Sequence, residues 1–343
     1  MSTFPSRLMF IACLLLLQSP AALAHHSWAP YDLTKELRLE GVVTEYKWAN
    51  PHSYVQLQTV GANGATELWE IEASSAVVMR NRGWSATTVA VGDRVTVYAN
   101  PSNTAGKTKA LGARLRTRDG VEWEMRQANT SAPAIVSPAV GTTSLAGLWR
   151  TSITPEVREH FFFFKPSDWP LNAAGLRAFN TFADGDNPGK NCVPYASPFL
   201  MIIPDAKLIT LGKDTVTIRT ELENLERVIH LNQNSHEGVS ASVQGHSIGH
   251  WESNNVLVVD TARFAEHGMG NAQKLRSGPN KHLTERFALN ADGKSIRYSF
   301  ELSDPDILAK PVSYELTWVY SPDFKTIQMP CDAESAQRFL NIR

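Results

Sequence analysis

The feature that most narrows what this chain can fold into is the length and regularity of its alternating runs. In the second half, KDTVTIRTELENLERVIHL, HSIGHWESNNVLVVDTARF, HLTERFALNADGKSIRYSFEL and VSYELTWVYSPDFKTIQM place apolar side chains at every second position over long stretches. A period of two sends successive side chains to opposite faces, as a half-buried strand requires. The runs are joined by Ser253-Asn254-Asn255, Asn290-Ala291-Asp292-Gly293 and Ser321-Pro322-Asp323, residue types that make hairpin turns. No strand–helix–strand rhythm interrupts them. Consecutive hairpins predict an antiparallel meander, most economically closed into a lipocalin-like (calycin-type) barrel. SLAGLWRTS opens the region with a Gly-x-Trp, an indole suited to closing the base of such a barrel, and one helix is expected near Asn172 to Phe179.

The first part reads as a second, smaller β domain. LRLEGVVTEYKWANPHSYVQLQTV gives two strands about Ala49-Asn50-Pro51, and ELWEIE gives a third. Ser74 or Ser75 would cap a short helix through Val77, Val78 and Met79, stopped by Gly83. VGDRVTVYANP and KALGARLRTRDGVEWEM supply the remaining strands. Three strands, a helix and two further strands is the order of an OB-like barrel. The whole chain is thus expected to be all-β: residues 25–127 an OB-like domain, 128–144 a linker, and 145–343 the antiparallel barrel. QANTSAPAIVSPAVGTTSLAG, small and polar with two prolines, has linker composition.

Residues 1–24 have the build of a cleaved signal peptide. Arg7 is the positive n-region, Leu8 to Leu17 the apolar run, and Ala22-Leu23-Ala24 the small-x-small cleavage site. The run is too short to span a bilayer, and no later stretch approaches about 20 apolar residues. The expected location is the periplasm. Removing Arg7 leaves 32 basic residues, against 34 acidic ones. Such a balance gives no electrostatic footprint for nucleic acid. Cleavage also removes Cys13, leaving Cys192 and Cys331, which an oxidising compartment would pair. That bond would tie the early loop of the second domain to its last strand.

Two constellations carry chemistry. If the signal peptide is cut after Ala24, His25 becomes the first residue, and its amine and imidazole can chelate copper with His26 or His52 as a further ligand. The alternative is a frayed terminus and a His52 that only caps a turn. In the second domain His246, Asp260, Glu285, His230 and Arg227 are the candidate catalytic residues. A histidine beside a buried carboxylate inside an apolar barrel can move protons near neutrality. On Glu221 to His230, alternation sets Glu223, Leu225, Arg227 and Ile229 on one face and His230 on the other, and the run of Glu221, Glu223, Glu226 and Arg227 reads as a solvated edge. No dinucleotide loop, G-x-S-x-G or HExxH accompanies them, so no cofactor is called for.

Two resemblances follow from these residues. HHSW…YD, the W-x-N-P-H of Trp48 to His52, Gly83-Trp84 and GDRVTV resemble a family of small secreted bacterial proteins without an assigned function, over most of residues 25–120. GDNPGKNCVP, Arg227-Val-Ile-His230-Leu, GHSIGHWESNNVLVVDT, His282 with Glu285-Arg286, Asp304-Pro305 and Pro330-Cys331 resemble a large family of exported bacterial proteins, over roughly residues 180–335. Its members recur in organisms that degrade steroids, terpenoids and aromatic compounds, and no settled reaction comes with it. The chain departs from that family's pattern at His250, where arginine is usual, at the Ser253-Asn254-Asn255 turn, and after Cys331.

Together these features predict an exported protein that holds a hydrophobic small molecule in the second barrel. Phe161 to Phe164, Trp169, Phe199, Trp251 and Trp318 supply apolar material for the pocket. The same cavity could instead house a cofactor-independent lyase, hydratase or isomerase, and copper binding at His25 is the third reading.

Overall fold

The computed structural model describes residues 30–126, 135 and 138–338, apart from positions 62 and 163. The N-terminal barrel comprises β1 (Leu37–Lys47), β2 (Tyr54–Val60), β3 (Thr66–Glu72), α1 (Ala76–Arg80), β4 (Arg94–Pro101), β5 (Lys109–Thr117) and β6 (Glu122–Glu124). The antiparallel order β3-β2-β1-β4-β5 closes through a parallel pairing of β3 with β5, and β6 adds an edge to β5. This is the OB-like order the sequence predicts. Ser75 caps α1, its hydroxyl accepting from the Val78 amide. Gly83 follows at φ +88°, a left-handed conformation that costs glycine little. The inward positions Val43, Leu57, Ile71, Val97 and Leu115 meet Met79 and Trp84 in the core.

The C-terminal region runs β7 (Gly147–Thr151), α2 (Pro155–Phe161), α3 (Ala173–Thr181), α4 (Phe199–Ile202), β8 (Ala206–Leu211), β9 (Thr215–Thr220), β10 (Glu226–His230), β11 (His246–Ser253), β12 (Val256–Ala262), β13 (His267–Ala272), β14 (Leu275–Ser277), β15 (His282–Leu289), β16 (Ser295–Ser303), β17 (Val312–Tyr320) and α5 (Ala333–Gln337). Nine strands close in the order β10-β11-β12-β15-β16-β17-β7-β8-β9, while β13 and β14 form a separate two-stranded ribbon. Pairing is antiparallel except between β10 and β11, which run parallel through Ile229↔Ser247 and His230↔Ile248. Residues 231–245 make the crossover that parallel neighbours need. Trp149 is fully buried, its indole N–H donating to the Leu145 carbonyl at 2.8 Å and its ring 5.0 Å from that of Tyr320. Phe161, Phe199, Phe287, Tyr298 and Trp318 share one contiguous core with it. Trp251 does not, and stands partly exposed on β11.

Two expectations need correction. The predicted strand from Glu221 begins only at Glu226, because Leu222–Asn224 turns as a 3₁₀ segment. The reason is tertiary. Glu221 is pulled out of the strand and buried between the two barrels, where it accepts from Arg80 Nη1 at 2.5 Å, Arg80 Nη2 at 3.2 Å and the Ile327 amide at 2.7 Å. It is therefore no solvated edge.

The second correction concerns the disulfide. Cys192 and Cys331 do pair, but Cys331 lies beyond the last strand, in a tail that crosses to the N-terminal barrel. There Cys331 bridges Asn50, the Asp332 amide donates to the Asn50 carbonyl at 2.8 Å, and the Ser335 hydroxyl donates to the His52 carbonyl. Arg338 reaches Glu70 at 3.1 Å and lies over the Tyr54 ring. The bond thus anchors a strap between domains. It also closes a chain segment of 139 residues, which removes much freedom from the unfolded state. Cys331→Ser should cost about 2–5 kcal/mol in urea unfolding, and should open the 330–338 strap to limited proteolysis. An unchanged midpoint with a protected tail would contradict this.

Candidate functional site

Strand alternation sorts the five candidate catalytic residues into two groups. Arg227 and Glu285 point into the C-terminal barrel and are almost fully buried, whereas His230, Asp260 and His246 lie on the outer side of the wall. The expectation that all five face one cavity therefore divides at the sheet.

Inside, Arg227 Nη1 donates to Glu285 Oε1 at 2.9 Å and Nη2 donates to Oε2, a two-pronged pair. Nη2 also donates to Thr261 Oγ1 at 2.9 Å, Nε donates to Ser247 Oγ at 3.2 Å, and Tyr298 O–H donates to Glu285 Oε1 at 2.7 Å. Burial alone would weaken the Arg227 charge, but Glu285 more than offsets it and holds the guanidinium above its ordinary range. Burial, followed by the Glu285 charge, drives the Tyr298 phenol far upward. Each of these groups is occupied by another, so the set stitches five strands together rather than offering a reactive atom.

Outside, the side chains converge differently. His246 Nε2 lies 2.7 Å from Gln233 Oε1, and His246 Nδ1 lies 2.9 Å from His236 Nδ1. The His230 ring packs 5.2 Å from that of His246. His236 Nε2 stands 3.8 Å from Asp260 Oδ2, and His282 Nε2 stands 2.6 Å from Asp260 Oδ1. Burial, with the His236 and His230 rings alongside, holds His246 below the usual histidine range, so it is neutral at physiological pH. The arrangement joins a neutral imidazole, two further imidazoles and a carboxylate, groups that can pass or accept protons.

A groove of about 630 Å³ lies on the same outer face, and Thr284 in its wall is the cross-strand neighbour of Asp260. Register explains the continuity. Asp260 on β12 stands opposite Thr284 on β15, Thr284 opposite Glu301 on β16, and Glu301 opposite Ser313 on β17. One step along, Val258, Arg286, Ser299 and Glu315 form a second row. Phe300 and Tyr314 border the groove on strands whose alternation turns their side chains inward to the core, and Arg286 is tied to Glu252 at 2.6 Å across it.

Three residues of this neighbourhood escaped the sequence reading. Gln233 and His236 sit in the irregular crossover, where no periodicity marks them. His282 could be placed only once Glu285, three residues on, was seen to face inward, which puts His282 on the outer side with Asp260. The copper candidates His25 and His26 fall outside the described residues. His52 Nδ1 lies 3.0 Å from Glu72 Oε1, whose other oxygen accepts from Tyr31 O–H at 2.6 Å, so that imidazole sits against a buried carboxylate.

A further buried polar set gives no outward sign in the sequence. Lys281, 2% exposed, donates to the Gly270 carbonyl at 2.7 Å and to the Ser197 carbonyl. Burial lowers its ammonium to about 7 against the opposing pull of Asp304. Asp304 Oδ2 in turn accepts from Asn271 Nδ2 at 2.7 Å and the Gly278 amide at 3.1 Å. These bonds pin the β13–β14 ribbon to the barrel.

The interior pair has a clear energetic signature. Arg227→Met alone strands the Glu285 charge and should cost about 3–5 kcal/mol. Arg227→Met with Glu285→Leu removes both charges and should restore most of that loss. Denaturation of the two variants checks it: a double variant as unstable as the single would contradict the account.

The model of a family of unknown function (DUF6152) matches residues 13–112. No curated protein matches the chain. The match therefore lies on the N-terminal part, where the W-x-N-P-H and GDRVTV motifs stand, and attaches no reaction to it.

Proposed function

We propose that this chain is an exported, periplasmic protein that binds a small hydrophobic molecule bearing polar groups, and that it does so in the groove on the outer face of its C-terminal barrel. One observation carries the reading. A groove of about 630 Å³ runs along the outer face, where the side chains of Val258, Thr284, Arg286, Ser299, Glu252, Glu301 and Glu315 line it, and Thr284 in its wall stands opposite Asp260, the carboxylate beside His236 and His282. Mixed apolar and polar lining with a few convergent titratable groups is the usual character of a small-molecule site. The inward positions expected to hold the ligand are instead taken up by packed side chains and by the Arg227–Glu285 pair. Export is supported by Arg7, the run Leu8 to Leu17 and Ala22-Leu23-Ala24, and by the disulfide, which suits an oxidising compartment.

Turnover is the second reading, favoured by the 2.6 Å contact of His282 with Asp260 beside a neutral His246. Such a set can take a proton from a bound molecule and return it elsewhere, as a lyase, hydratase or isomerase does.

Native mass spectrometry and thermal shift with a hydroxysteroid, a monoterpene alcohol and a phenolic acid test the binding. At least one probe should bind at one equivalent, and Ser299→Trp, which fills the groove, should weaken it about tenfold or more. Failure of all three probes, or binding indifferent to Ser299→Trp, would overturn the reading. A product that forms with the native chain and not with His282→Gln would promote turnover over binding.

A further inference from the structure

The buried polar set around Lys281 carries an inference that does not depend on any ligand in the outer groove. Four side chains from four places in the fold meet there: Asn271 on β13, Ser277 on β14, Lys281 just before β15 and Asp304 just after β16. Each is 2% exposed or less. Asn271 Nδ2 donates to the Arg276 carbonyl at 2.9 Å and to Asp304 Oδ2 at 2.7 Å, which fixes the orientation of the amide. Ser277 Oγ packs against Gly270, where an added methyl group would meet it at 2.0 Å. The Gly270 carbonyl in turn accepts from Lys281, as does that of Ser197, and a protonated lysine has a third donor. The charges of Lys281 and Asp304 attract each other across the set. Yet Asp304 Oδ1, Asn271 Oδ1 and Ser277 Oγ, all shielded from solvent, meet no hydrogen-bonding group among the described residues. Shielded polar atoms of this kind are costly until something satisfies them.

We infer that Lys281, Asp304, Asn271 and Ser277 enclose a binding site for one ordered water molecule, which bridges the Lys281 ammonium to the Asp304 carboxylate. Donors and acceptors match. Buried waters make about three hydrogen bonds, in the range of two to four. Here Asp304 Oδ1 and Asn271 Oδ1 would accept from the water, while Lys281 Nζ and the Ser277 hydroxyl would donate to it. Charge argues for a neutral occupant as well. Lys281 already brings a positive charge that would oppose a cation, and Asp304 would oppose an anion. Such a water would join the β13–β14 ribbon to the ends of β15 and β16. Its influence would reach the outer face, because Lys281 immediately precedes His282: what holds Lys281 inward sets the start of β15, from which His282 meets Asp260 at 2.6 Å.

Diffraction from crystals of residues 25–343 grown at pH 6, below the value of about 7 at which Lys281 gives up its proton, tests the site. An ordered water should stand within about 3.2 Å of both Lys281 Nζ and Asp304 Oδ1. In solution, oxygen-17 relaxation dispersion counts long-lived internal waters. Lys281→Met combined with Asp304→Leu, which removes both charges, should show one fewer than the native chain. Circular dichroism establishes that the double variant is folded, and if it is not, the native density decides alone. Direct contact of Lys281 Nζ with Asp304 Oδ1, or no ordered molecule between them, would overturn the inference. So would an unchanged count of internal waters in the folded double variant.

Discussion

The inward placement of Arg227 and Glu285 fixes the chemistry of the C-terminal barrel. Because side chains alternate along a strand, a buried pair on β10 and β15 decides the facing of every other residue on those strands and, through register, on β11 and β12 between them. Ser247 and Thr261 must point in with the pair, and they hydrogen-bond to it. His230, Asp260 and His282 must then point out. A slip of one residue on any of these strands would bury an aspartate or a histidine unpaired and expose a charged pair, which the barrel could not tolerate. The pair need not add much net stability to have this effect, since two buried charges regain in attraction roughly what they lose in hydration.

Among the described residues, polar contacts join the two barrels. Glu221 accepts from Arg80 and from the Ile327 amide, and the strap beyond Cys331 lies along Asn50, His52 and Glu70. The disulfide holds the start of that strap to the segment after α3. One covalent bond inside the second domain therefore sets where the tail meets the first.

Much of this architecture was legible in the chain. Period-two alternation and turn residues marked most strands of both barrels, and the helix between ELWEIE and GDRVTV marked the OB-like order. What alternation could not supply was which face is inward. Glu221 to Arg227 are rich in charge and read as solvent-facing, yet Glu221 is buried by Arg80 from another domain and Arg227 by Glu285, 58 residues away. Those partners are fixed by tertiary contact, not local pattern. The parallel pairing of β10 with β11 and the placement of Gln233 and His236 come from a crossover without periodicity, so they too lay beyond sequence reading.

The central claim is that the inner face of this barrel is closed and the outer face carries the site. Cysteine labelling of single variants of residues 25–343 tests it most directly, since Cys192 and Cys331, the two cysteines of that segment, are paired with each other and leave no background thiol. Thr284→Cys and Ser299→Cys, on the outer rows, should react with a maleimide within minutes in the native protein. Thr261→Cys and Ser247→Cys, beside Arg227, should react only after unfolding. Rapid labelling at the inner positions, with native circular dichroism retained, would mean that the lumen is open and would return the ligand site to the barrel interior.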